Sequence, residues 1–373
     1  MFGLSGKSAR AAAAAGALAI AVAASPGSSR AADAAPASTH APASPAAAVP
    51  AAAVVKESPR LAGEALWRGA DPWVVLHGGH YYWCHSSADR IEVSRSDRLD
   101  SRGERQVVWQ APRIGWNRAQ VWAPELHFVR GRWYIYYAAS GGRNETHRMG
   151  VLECEGADPL GRWIDRGMLY TGDDPAGKRD PQWAIDGTIL ERGTELYFIW
   201  SGWEGGRDVQ YLYAAAMSDP ATVTGARVKL CANDTYAWER VGESAAERGL
   251  HEGPTILRRN GRTFLVYSCS GSWQATYKLG MLVADDRASV LDPVSWTKVA
   301  HPMFASTNEV YGVGHCSFTT SADGRQDFIA YHSKTARREG WDRVVHVQPF
   351  GWTEDGMPDF GRPGNAGAVV GAK

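Results

Sequence analysis

Short runs of apolar and aromatic residues, separated by polar turns, repeat along the chain from about residue 65 onward. Prominent examples are Trp73–Leu76, His80–Cys84, Trp133–Ala138, Leu196–Trp200, Tyr211–Ala216, Phe264–Tyr267 and Phe328–Tyr331. Alternation with a period of two, and enrichment in β-branched and aromatic residues between Gly, Pro, Asp and Asn, predict β-strands. After the N-terminal leader, no stretch of about 12 residues carries the apolar period of a helix. We therefore expect an all-β fold.

One pattern occurs five times: a polar or acidic residue, a short apolar strand, a glycine-centred turn and an aromatic strand. The copies are ADPWVVLHGGHYYWCHS, APELHFVRGRWYIYYAAS, IDGTILERGTELYFIWSG, HEGPTILRRNGRTFLVYS and GHCSFTTSADGRQDFIAYHS. Their turn glycines, Gly79, Gly131, Gly193, Gly261 and Gly324, are 52, 62, 68 and 63 residues apart. Each interval can hold one four-stranded sheet, which predicts a five-bladed β-propeller. The intervals exceed the period of about 45 residues of Trp-Asp repeat propellers, so that interaction module does not fit.

The residue that heads each copy is polar and able to take part in chemistry. These residues are Asp71, Glu125, Asp186, Glu252 and His315. Equivalent strand starts of a propeller converge near one axis, so the pattern predicts four carboxylates and an imidazole around it. Such a cluster suits acid/base chemistry.

Hydrolysis of a glycosidic bond with inversion needs one carboxylate to deprotonate water and one carboxylic acid to protonate the leaving oxygen. The two groups must stand about 6.5–9.5 Å apart to leave room for that water. Carboxyl groups on the inner strands of different blades can face each other at such a distance. Asp71, Asp186 and Glu252 are therefore candidate catalytic residues, although an Asp beside Gly or Pro is also common in turns.

Most of the 16 Trp and 14 Tyr are expected to pack between sheets. Trp73, Trp122 and Trp183 lie next to the acids at the strand starts and are the better candidates for a sugar platform. An aromatic face can cover the C–H face of a neutral sugar without any charge.

The composition narrows the class of partner. Lys plus Arg and Asp plus Glu are 40 each, so the formal charge is zero and neither nucleic acid nor an acidic membrane is expected. The five cysteines, Cys84, Cys154, Cys231, Cys269 and Cys316, form no Cys-x-x-Cys pair, which argues against a zinc site. Their odd number leaves at least one thiol free in a monomer, while one disulfide is compatible with the count.

The N-terminal residues have the composition of an exported leader. Lys7 and Arg10 precede an Ala-rich run, so residues 1–31 are predicted to be a secretory signal peptide. That run of about 14 apolar residues is short of the roughly 20 that span a bilayer. Residues 32–60, rich in Ala, Pro and Ser, are predicted to be a disordered tether. Residues 61–363 would form the catalytic domain and 364–373 a C-terminal tail, and the protein would be secreted.

Seven segments carry a resemblance to a known family. They are ADPWVV, VWAPELHFVRGRWYIYYAA, AIDGTIL, HEGPTILRRNGRTFLVYSCS, LDPVSWTK, GHCSFTTSADG and VQPFGWTEDGMPDFG. In order and spacing, from about residue 65 to 363, they resemble glycoside hydrolase family 43, most closely its α-L-arabinofuranosidases. The resemblance implies that Asp71 is the general base, Glu252 the general acid, and Asp186 the residue that orients the acid and adjusts its pKa.

This assignment agrees with the chemistry expected from the residues. A carboxylate near Glu252 would disfavour its ionised form, and a raised pKa suits a general acid near neutrality. Asp71 must stay ionised, so we expect it in a wetter and more hydrogen-bonded setting than Glu252.

The roles of His315 and Glu125 stay open between two alternatives each. The resemblance implies that His315 lies near the axis, where related enzymes often hold calcium through a shell made largely of water. A lone imidazole is a poor calcium ligand, so an axial His bonded to solvent is the alternative. Glu125 is interpreted as structural or substrate-orienting rather than catalytic.

The sequence departs from the family pattern at one position. Where related sequences usually have Arg two residues before Gln-Pro, this chain has His346, with Arg343 three residues earlier. If that Arg pairs with a pocket carboxylate, His346 would make the pairing weaker and pH-dependent. Arg343 is accordingly a candidate substrate-binding residue.

The leading hypothesis is a secreted inverting glycosidase that releases terminal α-L-arabinofuranosyl residues from plant arabinan or arabinoxylan fragments. It requires no organic cofactor, and a structural calcium at the axis is the one ion considered. A β-D-xylosidase with the same fold and mechanism is the close alternative. A carbohydrate-binding propeller without catalysis is an alternative of another class, although it would have no use for both a base and an acid.

Overall fold

A computed structural model of the chain describes residues 59–364. The predicted signal peptide lies outside these residues, as do nearly all of the predicted tether and all of the predicted tail except Gly364. No helix among the described residues has the length and apolar character needed to cross a membrane. All five cysteines lie in this part of the chain, and none forms a disulfide.

The described residues form five antiparallel sheets arranged as a five-bladed β-propeller, which confirms the predicted fold. The first blade contains β2 (Trp73–His77), β3 (His80–Ser87), β4 (Arg90–Ser96) and β5 (Glu104–Gln110). The second contains β6 (Ala119–Val129), β7 (Arg132–Ser140), β8 (Arg148–Cys154) and β9 (Trp163–Met168). The third contains β10 (Ala184–Arg192), β11 (Glu195–Glu204), β12 (Arg207–Asp219), β13 (Thr222–Val223) and β14 (Val228–Lys229).

The last two blades complete the ring. The fourth contains β15 (His251–Arg259), β16 (Arg262–Cys269), β17 (Lys278–Asp285) and β18 (Thr297–Lys298). The fifth contains β19 (Tyr311–Thr320), β20 (Asp327–Lys334), β21 (Arg343–Trp352) and β22 (Pro358–Asp359), and β21 also pairs with β1 (Ala65–Arg68). A strand from the start of the described chain thus closes the last blade.

Helical structure is confined to five short 3₁₀ segments in the described residues. They are Pro59–Ala62, Asn144–Thr146, Ala237–Glu239, Val241–Glu243 and Pro293–Ser295.

The first strand of each blade lies innermost. Each of the strands β2, β6, β10, β15 and β19 contacts the first strand of both neighbouring blades, which closes a ring around the axis. Residues near the start of these strands are therefore brought together, as the repeat predicted.

The aromatic second strands are buried on both faces because each blade is packed between two others. In β7, Trp133, Ile135 and Tyr137 join the hydrophobic cluster shared with the first blade. Tyr134 and Tyr136 point the other way, into the cluster shared with the third blade. A period of two on a strand supplies both interfaces, so a continuous apolar run is what this position requires.

Candidate active site

A backbone irregularity recurs on the inner strand of every blade. The residues Asp71, Ala123, Asp186, Gly253 and His315 all have a left-handed backbone, with φ between 39° and 55°. Where these residues lie inside a strand, the pairing register with the next strand shifts around them. Such bulges re-aim side chains, and strained backbone of this kind is concentrated at functional sites.

The five residues that head the sequence repeats were expected at equivalent strand positions, and the position of the left-handed residue in each blade corrects this. Asp71, Asp186 and His315 occupy the left-handed position itself. Glu252 precedes that position by one residue, and Glu125 follows it by two. The side chains of the two glutamates therefore leave the strand in other directions than those of the two aspartates.

A pocket of about 540 Å³ lies where the starts of the inner strands meet. Its lining includes the three candidate catalytic residues, Asp71, Asp186 and Glu252, together with His315 and Arg343. With Trp122 and Trp183, which also line it, the pocket brings together seven of the residues that the sequence singled out.

Asp71 is surrounded by cationic or hydrogen-bonding groups. Its Oδ1 lies 3.3 Å from Nδ1 of His315, 3.3 Å from Nδ1 of His332 and 3.4 Å from Nη1 of Arg343. Its backbone N–H donates to His332 Nδ1 at 3.1 Å. Burial alone would raise the pKa of Asp71, but His315 and Arg343 hold it below its usual value. Asp71 is therefore ionised at neutral pH.

Asp186 has the opposite electrostatic setting. It is 3% exposed, and its Oδ2 accepts the backbone N–H of Gly253 at 3.0 Å. Burial raises the pKa of Asp186 to about 7; His315 opposes the rise, and the negative charges of Glu252 and Asp71 add to it. A proton is therefore retained at Asp186 up to neutral pH, next to the strand segment that carries Glu252.

Glu252 is held by a chain of hydrogen bonds that starts on the third blade. Gln210 Nε2 donates to Glu252 Oε2 at 3.0 Å and is 3.1 Å from Oγ of Ser201. Ser201 Oγ in turn donates to the carbonyl of His251 at 2.8 Å. Glu252 is buried, whereas Asp71 is partly exposed, so Asp71 lies in the wetter setting as expected.

Trp122 and Trp183 line the pocket, and their role as a sugar platform stays a prediction. Trp122 is 36% exposed and stacks on the His147 ring with a centroid distance of 3.8 Å. Trp183 is 5% exposed, stacks on Trp203 at 4.4 Å, and donates from Nε1 to the carbonyl of Asn144. Both rings are therefore fixed by their neighbours before any ligand binds.

Trp73 and Glu125 do not reach the pocket. Trp73 is 8% exposed, belongs to the core between the first two blades and donates from Nε1 to the carbonyl of Leu126 at 2.7 Å. Glu125 is 2% exposed and pairs with Nε2 of His127 at 2.8 Å. The structure assigns both to packing between blades, which corrects the prediction that they contact substrate. For Glu125 it favours the structural alternative.

His346 does not face the site carboxylates. Its Nε2 is 2.7 Å from Oγ of Ser333 and its Nδ1 is 2.8 Å from the carbonyl of Gly63. It is a buried residue of the fifth blade. Arg343, which precedes it by three residues, supplies the positive charge at Asp71. The departure at position 346 therefore leaves this ion pair intact.

The calcium prediction for His315 stays a prediction. Among residues 59–364 no group of three or more His, Cys, Asp or Glu side chains is arranged to hold a metal ion. The Nδ1 of His315 faces the carboxylates of Asp71 and Asp186. A calcium held mainly through water would need few protein ligands. The proposed reaction does not depend on a calcium ion.

Sequence reasoning missed several residues of the site, among them His332, Gln210, Trp273 and Trp341. His332 lies within β20 and Gln210 within β12, and neither carries a recognisable motif. Trp273 and Trp341 line the pocket from loops between the second and third strands of their blades. Their only signal in the sequence is an isolated Trp in a polar loop.

The chain has relatives of known name. It is 34% identical over 311 residues to alpha-L-arabinofuranosidase 43 of Humicola insolens, covering 79% of this chain and 62% of that protein. It is 35% identical over 275 residues to the extracellular exo-alpha-(1->5)-L-arabinofuranosidase of Streptomyces chartreusis, covering 71% and 80%. The chain thus spans less than two thirds of the Humicola protein but most of the Streptomyces one.

Structural comparison agrees with the sequence relationship. The crystal structure of alpha-L-arabinofuranosidase from Lactobacillus brevis matches with a TM-score of 0.72 and 32% identity, covering 81% of this chain and 97% of that one. Residues 66–358 match the model of the family glycosyl hydrolases family 43, a span that includes all five blades. The chain therefore belongs to glycosyl hydrolases family 43.

Proposed function

We propose that the protein is a secreted, inverting glycoside hydrolase that releases terminal α-L-arabinofuranosyl residues from plant arabinan or arabinoxylan fragments. The observation that carries the proposal is the contrast between two aspartates in one pocket. Asp71 is held ionised by His315 and Arg343, while Asp186 keeps a proton beside Glu252.

Asp71 is the general base of the proposed reaction. Its carboxylate takes a proton from a water molecule as that water attacks the anomeric carbon of the terminal sugar. His315 and Arg343, both near Oδ1, favour the ionised form that this step requires. After the step, the proton of the water is on Asp71 and the oxygen is bonded to the sugar.

Glu252 is the proposed general acid. As the bond between the anomeric carbon and the leaving oxygen breaks, Glu252 transfers its proton to that oxygen, so the leaving sugar departs as an alcohol. Asp186 orients this region through the backbone N–H of Gly253, and Gln210 fixes the carboxyl group of Glu252 itself. Proton donation and water activation suffice for an acetal, so the proposed mechanism uses no organic cofactor.

The choice of sugar is supported by the relatives. The Humicola, Streptomyces and Lactobacillus proteins, each about a third identical to this chain, are arabinofuranosidases by name. Secretion is supported by the extracellular name of the Streptomyces relative and by the predicted signal peptide. The pocket offers neutral aromatic surface at Trp122 and Trp183, which suits an uncharged pentose.

Two chromogenic substrates test the proposal. The wild-type protein should release p-nitrophenol from p-nitrophenyl α-L-arabinofuranoside much faster than from p-nitrophenyl β-D-xyloside. Asp71→Asn should abolish turnover with an unchanged circular dichroism spectrum, because the amide cannot accept the proton of water. Faster release from the xyloside would make the protein a xylosidase. Release from neither substrate, with retained binding to arabinan, would identify a non-catalytic sugar-binding propeller.

A further inference from the structure

Two tryptophans form an aromatic pair at the mouth of the pocket. Trp273 lies in the loop between β16 and β17 of the fourth blade, and Trp341 in the loop between β20 and β21 of the fifth. Their ring centroids are 5.9 Å apart with an interplanar angle of 49°. Trp341 is 64% exposed, whereas Trp183 in the same pocket is 5% exposed. An indole this exposed in a pocket wall leaves a large apolar surface open to a ligand.

A buried lysine ties the two loops together. Lys334, at the end of β20, is 4% exposed, and its Nζ donates to the carbonyl of Trp273 at 2.7 Å and to the carbonyl of Gly340. The N–H of Gly340 also donates to the carbonyl of Trp273 at 3.0 Å. Burying an ammonium group is costly unless it is hydrogen-bonded, so these bonds strongly favour one arrangement of the loops.

A second link lies nearer the surface. Gln274 Nε2 donates to Glu339 Oε1 at 3.0 Å, again joining the fourth-blade loop to the fifth-blade loop. The loops are therefore connected by two separate sets of hydrogen bonds. Rings held in advance bind a ligand with less loss of conformational entropy.

We propose that Trp273 and Trp341 bind the sugar ring on the leaving-group side of the scissile bond, and that Lys334 positions them. The inference rests on the proposed function. A terminal sugar whose anomeric carbon lies among Asp71, Asp186 and Glu252 must direct the rest of the substrate outward, toward the exposed Trp341. Two apolar indole faces suit the C–H face of a neutral sugar, and the ligand class is therefore an uncharged oligosaccharide.

The pair is also adjacent to the catalytic machinery. The guanidinium carbon of Arg343 lies 5.6 Å from the centroid of the Trp341 ring, and Arg343 Nη1 contacts Asp71. Trp341 therefore lines the same pocket as the reacting groups and is separated from Asp71 by one side chain, that of Arg343.

The test compares a substrate that has a leaving sugar with one that has none. The substrates are α-1,5-linked L-arabinotriose and α-L-arabinofuranosyl fluoride, whose fluoride offers no ring to bind. Trp341→Ala and Trp273→Ala should each lower kcat/KM for the triose by about tenfold or more, mainly through KM, as expected for removal of an aromatic anchor. Both variants should lower kcat/KM for the fluoride far less, because the fluoride has no leaving sugar to bind. Val294→Ala is the matched control, because Val294 is 88% exposed and outside the pocket lining, and it should change neither substrate.

Lys334→Met tests the positioning role. It removes both bonds to the loop carbonyls while keeping a side chain of similar length, so it should reproduce the selective loss on the triose. Combined with Trp341→Ala, it should add little, since the two changes act on one structure. If Lys334→Met does not fold, the two Trp variants still decide whether the pair binds the leaving sugar.

The outcomes distinguish the binding role of the aromatic pair from the proposed reaction. Equal losses on both substrates, or no loss on the triose, would overturn the inference while leaving the arabinofuranosidase activity intact. A wild-type protein that cleaves neither substrate would overturn the proposed function, and the inference with it.

Discussion

The ion pair between Arg343 and Asp71 is open to a direct test. At 3.4 Å, two opposite charges interact by about 5 kcal/mol for an effective dielectric constant of about 20. The Asp71 side chain is 22% exposed, so solvent screens part of this energy. Loss of a neighbouring Arg typically raises the pKa of an aspartate by about one to three units, or about 1.4–4 kcal/mol. Arg343→Met should therefore shift the pKa of Asp71 upward by that amount.

The assay is the pH dependence of kcat/KM on α-L-arabinofuranosyl fluoride. Fluoride leaves without needing a proton, so the acid limb of the profile reports the base alone. Because the base acts ionised and its pKa is lowered in the folded protein, the wild-type limb should lie below the usual range of an aspartate. In Arg343→Met the limb should move to higher pH by about one to three units.

The conservative variant Arg343→Lys is the matched control. It keeps a positive charge near Asp71, so the acid limb should stay close to its wild-type position. The match is not complete, because Lys cannot reproduce the planar fork of Arg. An Arg343→Met enzyme that remains active with an unmoved acid limb would refute the reasoning. Either Asp71 would not be the base, or Arg343 would not set its pKa.

Three further predictions follow from the same site and fold. Glu252→Gln should lower kcat on α-1,5-L-arabinotriose by about 100-fold or more and leave the fluoride nearly unaffected, and equal losses would contradict the acid role. Burial raises the pKa of Asp186 to about 7, so the charge beside Glu252 changes near that pH. The kcat/KM for the triose should therefore change as pH passes through that value, while the fluoride, which needs no acid, should show no such limb; a shared limb would point to another group. Burial lowers the pKa of His85, His251 and His332 to about 4. Burying these rings in the neutral form therefore stabilises the fold fully above about pH 6.5, and this stabilisation is lost as pH falls toward 4. The urea midpoint of unfolding should be lower at pH 5 than at pH 7.5. Equal midpoints would contradict this.

The number of blades could be read from the sequence because each blade contains a hairpin that needs a left-handed turn residue. The predicted turn glycines, Gly79, Gly131, Gly193, Gly261 and Gly324, all have φ between 62° and 83°. Only glycine adopts this conformation without steric cost, so its recurrence marked the hairpins. The strands next to them were long and apolar enough to be recognised.

The outer parts of the blades could not be predicted in the same way. The strands β13, β14, β18 and β22 contain two residues each and have no periodicity to detect. The pairing of β1 with β21 joins residues almost 280 positions apart and depends on closure of the whole ring. Local pattern carries no information about such a contact.

The sequence predicts the site residues whose chemical type and motif both indicate a role. It does not predict residues whose place in the site depends only on the direction of the side chain. Asp71 and Asp186 occupy the left-handed position and point into the pocket. Glu125 matched the repeat by type, but it lies two residues beyond that position and is buried with His127. A bulge shifts a side chain to another direction without changing the sequence pattern, so the error could not be seen from the residues.

The same limit applies to the tryptophans. Trp73 lies near Asp71 in sequence and is therefore predicted to contact sugar, yet its side chain belongs to the interface between blades. Trp273 and Trp341 were missed because their loops meet only in the folded ring. Proximity along the chain says little about which face of a blade a side chain reaches.

The central claim is that water, activated by Asp71, attacks the anomeric carbon on the side opposite to the leaving oxygen that Glu252 protonates. Proton NMR of the first products of arabinotriose cleavage, recorded before mutarotation, tests it most directly. The account predicts β-L-arabinofuranose as the first anomer to appear. The α anomer as the first product would contradict it.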